Sequence, residues 1–325
     1  MAGRLSGLEA VRGVAALMVA WEHAGMFGGY RTPASALYDM GFLAVDLFFL
    51  LSGFVLARTY EHRMPGAVTF LCKRFARLWL PVAAGVMVGA CYYALVGTPA
   101  DEMALHLALG LAILPLVGGA IMFNPPAWSI FFELFANFAH ALALKRLSNK
   151  ALGGIVALCA AVLMGSMDAK GINVGFNEYW WMGIPRVIMS YALGILIWRL
   201  NGDRAMVPGG VVWPMMAVYA LVVALFPHWL GGGAQLAFVL LVNPLVLLAS
   251  LGMKDSRAAV MLGAYSFPLY ALHYPAQMLA SSAGADWAGA LVASLAISLG
   301  IGLLIDPRFR AALALPETRA KRAAV

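Results

Sequence analysis

Apolar runs of about twenty residues recur from one end of this chain to the other, and each is long enough to cross the hydrocarbon core of a membrane. Of the 325 residues, 63% are hydrophobic and 11% are charged, whereas a soluble domain is roughly half apolar and roughly a quarter charged. We therefore predict an all-α fold, a polytopic integral membrane helical bundle of about ten transmembrane helices. The predicted spans are residues 8–26, 41–58, 76–96, 127–145, 151–167, 180–199, 211–228, 234–252, 259–281 and 287–305.

The spans follow one another through short connections, which indicates a single domain over residues 1–325 with no fused soluble domain. The first span starts within a few residues of the N-terminus and lacks a small-residue cleavage site, so we interpret it as a retained helix. No cluster of histidine and cysteine has the spacing of metal ligands, and no glycine-rich phosphate loop follows a strand pattern. We expect no metal and, from the three cysteines, no disulfide framework.

One further apolar stretch, residues 103–121, is ambiguous, and the distribution of lysine and arginine decides it. If this stretch does not cross and the chain starts in the cytoplasm, 18 of the 22 basic residues lie inside and 2 outside. If it crosses, 7 lie inside and 13 outside. We therefore predict a re-entrant or interfacial 103–121 and cytoplasmic termini in the cell (inner) membrane. The net charge of +7 is then an orientation signal and requires no nucleic-acid partner.

The first predicted span carries two ionisable residues on one face. Such a side chain costs about 2.5–3.5 kcal/mol at the bilayer centre on insertion scales, and those that persist usually face the interior and serve a function. Arg12 and His23 are eleven residues apart, so they lie within about 20° of one another and about 16 Å apart along the helix. Glu9, one turn before Arg12, can neutralise it. His23 is either a packed histidine or a functional one.

The second span contains an unneutralised carboxylate, Asp46, among aromatic residues. It cannot face lipid, so we expect it to bind a donor from another helix. Ser52 and Gly53, which follow it, are interpreted as residues of a close helix contact.

A pair of arginines, Arg74 and Arg77, precedes the third predicted span at the cytoplasmic membrane edge. One interpretation is an anchor for topology or a contact with lipid headgroups. The other is a clamp for a phosphorylated ligand that enters from the cytoplasm.

The fourth span opens with Trp128, Ser129 and Glu133. Ser129 and Glu133 are one turn apart on one face, and helix rise puts Glu133 about 8 Å below the outer surface. Trp128 fits the interfacial aromatic belt. Arg186, in the sixth span, is predicted at a depth similar to that of Glu133.

The ninth span carries a polar stripe, because its four polar residues are separated by offsets of 4, 7 and 11. A stripe at helical spacing faces the bundle or a wet cavity. Its residues are Ser266, Tyr270, His273 and Gln277.

Sorted by depth, these side chains predict an anion site in the cytoplasmic half and an acid–base site in the outer half. The cytoplasmic group is Arg12, Arg74 and Arg77. The outer group is His23, Asp46, Glu133, Arg186 and His273.

In these motifs the chain resembles the membrane acyltransferase-3 family, from Leu8 to Pro307. The resemblance is carried by six motifs in order: Arg12 with His23, the Gly41–Phe54 block around Asp46, Arg74 and Arg77 before Pro81, Trp128-Ser129 with Glu133, Arg186 before Gly194, and the segment Tyr265–His273. The family implies an O-acyltransferase that uses acyl-CoA, often acetyl-CoA, as co-substrate. Its acceptor would be a hydroxyl of an extracytoplasmic or lipid-linked carbohydrate. Membrane lipid and polysaccharide biosynthesis machinery are the partners this implies.

The resemblance also implies residue roles, with His23 catalytic and Arg12, Arg74 and Arg77 binding the donor. We favour His23 as general base, with Glu133 or Asp46 orienting it as the third member of a triad does. An acyl-histidine intermediate remains an alternative. The residues expected to bind substrate are Trp128, Ser129, Arg186, Tyr270 and His273.

Two other functions remain open from the sequence. A secondary transporter or flippase for a polysaccharide precursor could use buried charges along a path, although such proteins often show inverted repeats. A structural subunit of a polysaccharide export complex is the third possibility, and it gives the buried polar residues no task.

Overall fold

The computed structural model describes residues 5–62, 64–114, 123–166, 171–227, 230–253 and 255–313. The described residues are helices and their connections, which confirms the all-α class. The helices are α1 Ser6–Phe27, α2 Pro33–Ala36, α3 Leu43–Tyr60, α4 Ala67–Leu95, α5 Ala100–Leu111, α6 Ala127–Leu142, α7 Asn149–Ser166, α8 Gly183–Asn201, α9 Val212–Ala224, α10 Gly231–Ala237, α11 Asn243–Ser250, α12 Arg257–Ser282, α13 Trp287–Ile305 and α14 Pro307–Leu313. A π-helical turn, Phe238–Val242, joins α10 to α11 into one rod.

Six described helices are long and apolar enough to cross a membrane. They are α3, α4, α7, α8 with its preceding turn, the α10–α11 rod, and α13. Each of the ten predicted spans coincides with a helix or with the α10–α11 rod. Two further helices, α1 with 22 residues and α12 with 26, are also long enough by helix rise. The multi-pass architecture is thus supported, and the number ten stays a prediction.

The ambiguous stretch 103–121 does not form a span in the part of it that the structure describes. α5 has 12 residues, about 18 Å of helix, which is shorter than the roughly 30 Å hydrocarbon core. It folds back along α4, where Gly110 packs against Val86. α5 therefore runs beside α4 instead of crossing on its own.

The remainder of that stretch, within residues 115–122, lies outside the described residues. After these residues, the backbone of Phe123 packs against Gly89 of α4. The end of α5 lies at a different level of α4, where Trp79 donates to the Leu111 carbonyl oxygen, and the re-entrant or interfacial character of 103–121 stays a prediction.

Two helix pairs form the centre of the bundle, α1 with α12 and α3 with α8. Glycines bring the backbones together: a Cβ on Gly53 would lie 2.1 Å from the Tyr191 carbonyl oxygen, and one on Gly194 would lie 2.1 Å from that of Leu50. The interpretation of Gly53 as a close-packing residue is confirmed. These contacts fix the positions of α3 and α8, which carry the buried ion pair described below.

Candidate active site

Two histidines from the α1–α12 pair meet in the bundle. Nε2 of His273 lies 3.0 Å from Nδ1 of His23. The same His23 nitrogen is 3.0 Å from the Val19 carbonyl oxygen. Nδ1 of His273 lies 3.1 Å from the Leu269 carbonyl oxygen and 2.9 Å from that of Tyr270. His273 is fully buried, whereas His23 is only half-buried.

A cavity lies between α1, α3, α4, α6 and α12, and it collects many of the predicted polar residues. All three predicted donor-binding arginines line it. The polar residues of its wall are Arg12, Ser52, Arg74, Arg77, Ser129, Glu133, Ser266 and Tyr270. The structure therefore unites side chains from five helices that the sequence could only sort by depth.

Arg74 and Glu133 form an ion pair in this cavity, with Nη2 of Arg74 2.6 Å from Oε1 of Glu133. The same carboxylate oxygen accepts a hydrogen bond from Ser52 at 3.0 Å. The predicted depths, which put Arg74 and Glu133 in opposite halves of the membrane, are wrong. Because α4 begins at Ala67 instead of near residue 76, Arg74 lies inside a helix and at the level of Glu133.

Arg12 is closest to Glu9 among the acidic groups of the described residues, at 3.8 Å. This contact confirms that Glu9 neutralises part of its charge. The distance is long for a charge-assisted hydrogen bond, and Arg12 also lines the cavity. Its side chain is 27% exposed.

Tyr270 connects the cavity to the histidine pair. Its hydroxyl lies 2.6 Å from Oγ of Ser129. Because Ser129 donates its own proton to the Pro126 carbonyl oxygen, the tyrosine is the donor in this contact. Its ring centroid lies 5.8 Å from that of His273. The residue thus contacts both the cavity and the histidine pair.

The polar stripe of α12 faces the bundle interior, as predicted. Ser266 and Tyr270 line the cavity, and His273 binds His23. Gln277 donates to the Ala20 carbonyl oxygen of α1 at 2.8 Å. The stripe therefore serves both the site and the contact between α1 and α12.

Asp46 finds its donor in Arg186, and both side chains are completely buried. Arg186 donates to the two carboxylate oxygens at 2.8–3.3 Å and Ser190 adds a further bond at 3.2 Å. Trp128 covers the guanidinium at 5.4 Å. The expectation that Asp46 binds a donor from another helix is confirmed. Arg186 and Trp128, which were expected to bind substrate, here contact Asp46 and each other.

A carboxylate was expected from the sequence beside the His23 ring, but the structure has a histidine there. Glu133 pairs with Arg74 and Asp46 with Arg186. Among the described residues, the side chain hydrogen-bonded to His23 is His273. The roles expected for Glu133 and Asp46 as orienting groups therefore need correction, because arginines from other helices take both carboxylates.

The buried polar groups that the sequence did not indicate include Glu22 and His140. Glu22 is buried next to His23 in the chain, and its Oε2 has no partner within the described structure. His140 is fully buried on α6, and neither ring nitrogen has a partner there. Glu22 could have been found from the sequence, because a charged residue inside a predicted span usually has a function. His140 lies near the end of its predicted span, where a polar residue is not unusual.

The loop that follows α1 carries a tyrosine, Tyr30, with a shifted pKa. Partial burial raises the pKa of Tyr30, and the nearby carboxyl groups of Glu22 and Asp39 raise it further.

Within the described ranges, no group of three or more histidine, cysteine, aspartate or glutamate side chains is placed to hold a metal ion.

Comparison with known proteins gives one family and three relatives. A family model described as an acyltransferase domain matches residues 5–306. Protein 2 in the picA locus of Rhizobium radiobacter is 41% identical over 180 residues, which is 48% of this chain and 91% of that protein.

The other two relatives align over more of the chain. Acyltransferase MdmB of Streptomyces mycarofaciens is 27% identical over 307 residues, 83% of this chain and 78% of that protein. BcsY of Komagataeibacter xylinus, named as a suspected membrane-bound transacylase, is 25% identical over 349 positions, 93% of this chain and 82% of that protein. No solved structure matches the chain.

Proposed function

The chain belongs to the acyltransferase-3 family, and from that premise we propose that it transfers an acyl group, such as acetyl, from cytoplasmic acyl-CoA to a carbohydrate hydroxyl. The acceptor is extracytoplasmic or lipid-linked, and the protein lies in the inner membrane with both termini in the cytoplasm. His23 is the general base.

The cavity is suited to the donor because it concentrates positive charge. Arg12, Arg74 and Arg77 line it, and Glu133 is the carboxylate that pairs with Arg74 there. Guanidinium groups bind phosphate oxygens through paired, charge-assisted hydrogen bonds. The phosphates of acyl-CoA are the ligand that matches this group of arginines.

The size of the cavity indicates which part of the donor enters it. About 90 Å³ of it is accessible to solvent, room for a few waters, which matches the small thioester end of the donor better than its nucleotide. The nucleotide would remain at the mouth beside the arginines, and the pantetheine arm would carry the thioester towards Tyr270.

The observation that carries the proposal is the continuous line from the cavity to the base. Tyr270 lines the cavity, its ring contacts His273, and His273 binds His23. A thioester at Tyr270 is therefore one residue layer away from the histidines. His23 takes the proton from the acceptor hydroxyl as the oxygen attacks the thioester carbonyl.

A transporter or flippase is the second candidate, supported by the buried charges. In that case the arginines would bind a phosphorylated sugar carrier, and the histidines would move protons. The partly exposed His23 favours transfer, because an acceptor hydroxyl has to reach a general base directly.

The test is mass spectrometry of envelope and secreted glycans from cells with and without the protein, after labelling with deuterated acetate. We expect the loss of labelled ester groups while the amount of exported glycan is unchanged. Unchanged esters with reduced export would contradict the proposal and favour the transporter.

A further inference from the structure

The contacts of the two histidines determine which ring nitrogen of each carries the proton. A neutral imidazole has one N–H donor and one acceptor nitrogen, and neighbouring groups select the tautomer. Nδ1 of His273 faces two backbone carbonyl oxygens, at 2.9 and 3.1 Å. Carbonyl oxygens only accept, so this nitrogen carries the hydrogen. Nε2 of neutral His273 is therefore an acceptor.

The same reasoning fixes His23. Its Nδ1 faces two acceptors, Nε2 of His273 and the Val19 carbonyl oxygen, both at 3.0 Å. A lone pair there would be repelled by both, so Nδ1 carries the hydrogen. The lone pair of His23 is then on Nε2, which makes no hydrogen bond within the described residues and is not enclosed.

We propose that His273 is a positioning residue that holds His23 with its hydrogen on Nδ1 and makes Nε2 the basic atom. This inference rests on the proposed function and replaces substrate binding as the expected role of His273. It also sets where the reaction takes place: the acceptor hydroxyl and the thioester carbonyl have to meet at the Nε2 edge of His23, so the thioester has to pass Tyr270 and reach the side away from His273.

The chemical step balances without any further reactant. The acceptor oxygen bonds to the thioester carbonyl carbon, and its proton moves to Nε2 of His23. Both His23 nitrogens then carry hydrogen, and the Nδ1–H donates a charge-assisted hydrogen bond to His273. The carbon–sulfur bond then breaks, and the proton on Nε2 passes to the sulfur to give the free thiol.

A neutral histidine suits this position better than a carboxylate would. His273 is fully buried, and a buried carboxylate needs a cation to balance it. The rings of Tyr270 and Tyr274 also contact the pair. His273 thus accepts from the charged base without leaving a permanent charge in the bundle.

The direct test is the protonation pattern of His23, measured by long-range ¹H–¹⁵N correlation on histidine-labelled protein in detergent. His23→Gln assigns the resonances by their disappearance. We expect the Nδ1–H form, with the shift of an unprotonated Nε2. The Nε2–H form at His23 would overturn the inference and leave the proposed function intact, because this readout requires no activity.

The kinetic test compares His273→Gln with His273→Leu. The Oε1 of glutamine is as many bonds from Cβ as Nε2 is, so it can accept from His23, whereas leucine cannot. We expect His273→Leu to lower kcat by about 10–100-fold, the worth of one hydrogen bond to a charged group, with little change in either KM. His273→Gln should recover most of kcat.

A raised acceptor KM with normal kcat would return His273 to substrate binding and overturn the inference, as would equal losses in both variants. If the leucine variant does not fold, the spectrum of His273→Gln decides instead: His23 should keep its Nδ1–H form there. An inactive wild-type protein with the expected spectrum would count against the proposed function alone.

Discussion

Asp46 and Arg186 illustrate, at the scale of single residues, how a buried charge can serve the fold instead of the chemistry. Each is completely buried, and the remaining donors of Arg186 go to the carbonyl oxygens of Val174 and Phe42. The pair ties α3 to α8 and to the segment before α8. Its atoms are occupied, so we assign Asp46 to the structure and not to the reaction.

Asp46→Ala should reduce stability and activity together. It leaves the Arg186 guanidinium buried without its anion, and breaking such a pair costs about 3–5 kcal/mol. The measurement is thermal unfolding in detergent, with activity per folded molecule. Asp101→Ala, at the exposed start of α5, is the control. Normal stability combined with lost activity would make Asp46 a catalytic residue after all.

Arg74→Ala should raise the donor KM by about 10–100-fold, the value of one charge-assisted contact. Lys73→Ala removes the same charge from the neighbouring exposed position and should leave the donor KM unchanged. Donor titration in purified membranes measures both. Equal effects of the two substitutions would mean that Arg74 acts through the general surface charge and not through the cavity.

At the scale of helices, the contact between α3 and α8 depends on glycines, which have no side chain to keep the two backbones apart. Gly53 and Gly194 each lie against a backbone carbonyl of the opposite helix. Close approach of this kind is how helices associate in a membrane, where apolar side chains gain little from leaving lipid. The contact also sets the distance between Asp46 and Arg186, because each of them lies on one of these helices.

Gly194→Ala should destabilise the bundle by about 1–3 kcal/mol, because the new Cβ would force the helices apart. Gly153→Ala is the matched control, since no atom lies within 4 Å of its Cβ position on α7. That change should be neutral or stabilising, as alanine is favoured over glycine inside helices. Similar unfolding temperatures for the two variants would show that the close α3–α8 contact does not exist.

Helix positions could be predicted from the sequence, because apolar runs and their length determine which segments enter a membrane. The start of α4 could not. Residues 67–75 carry charge and read as a loop, yet they continue the helix, since Arg74 finds Glu133 and no longer has to face lipid. The error in that boundary produced the error in the depths of both residues.

At the scale of the whole molecule, the site is assembled from distant parts of the chain. His23 and His273 are separated by 250 positions, and Arg74 and Glu133 by 59. Periodicity identified the faces that these residues occupy. It could not show which faces meet, because helix order around a bundle is set by packing between helices. This is why a carboxylate was expected beside His23 where the structure has a histidine.

The orientation of the bundle is a further prediction at this scale. We expect a reporter fused to the C-terminus to be cytoplasmic and one inserted at residues 97–104 to be outside, because this places most basic residues inside. Phosphatase and fluorescent-protein fusions measure the two locations. A C-terminus on the outside would mean that the segment beginning with α5 crosses the membrane.

The central claim is that His23 is the base for acyl transfer, and one comparison tests it most directly. His23→Ala and His140→Ala each remove a histidine, and His140 is buried on α6, where its ring contacts Tyr191 and not the histidine pair. Acyl ester on the glycans is measured by mass spectrometry at matched protein levels. The account predicts a fall of about 10²–10⁴-fold for His23→Ala, as for a lost general base, and substantial activity for His140→Ala. If His23→Ala retains more than about a tenth of the activity, His23 is not the base and the account is contradicted.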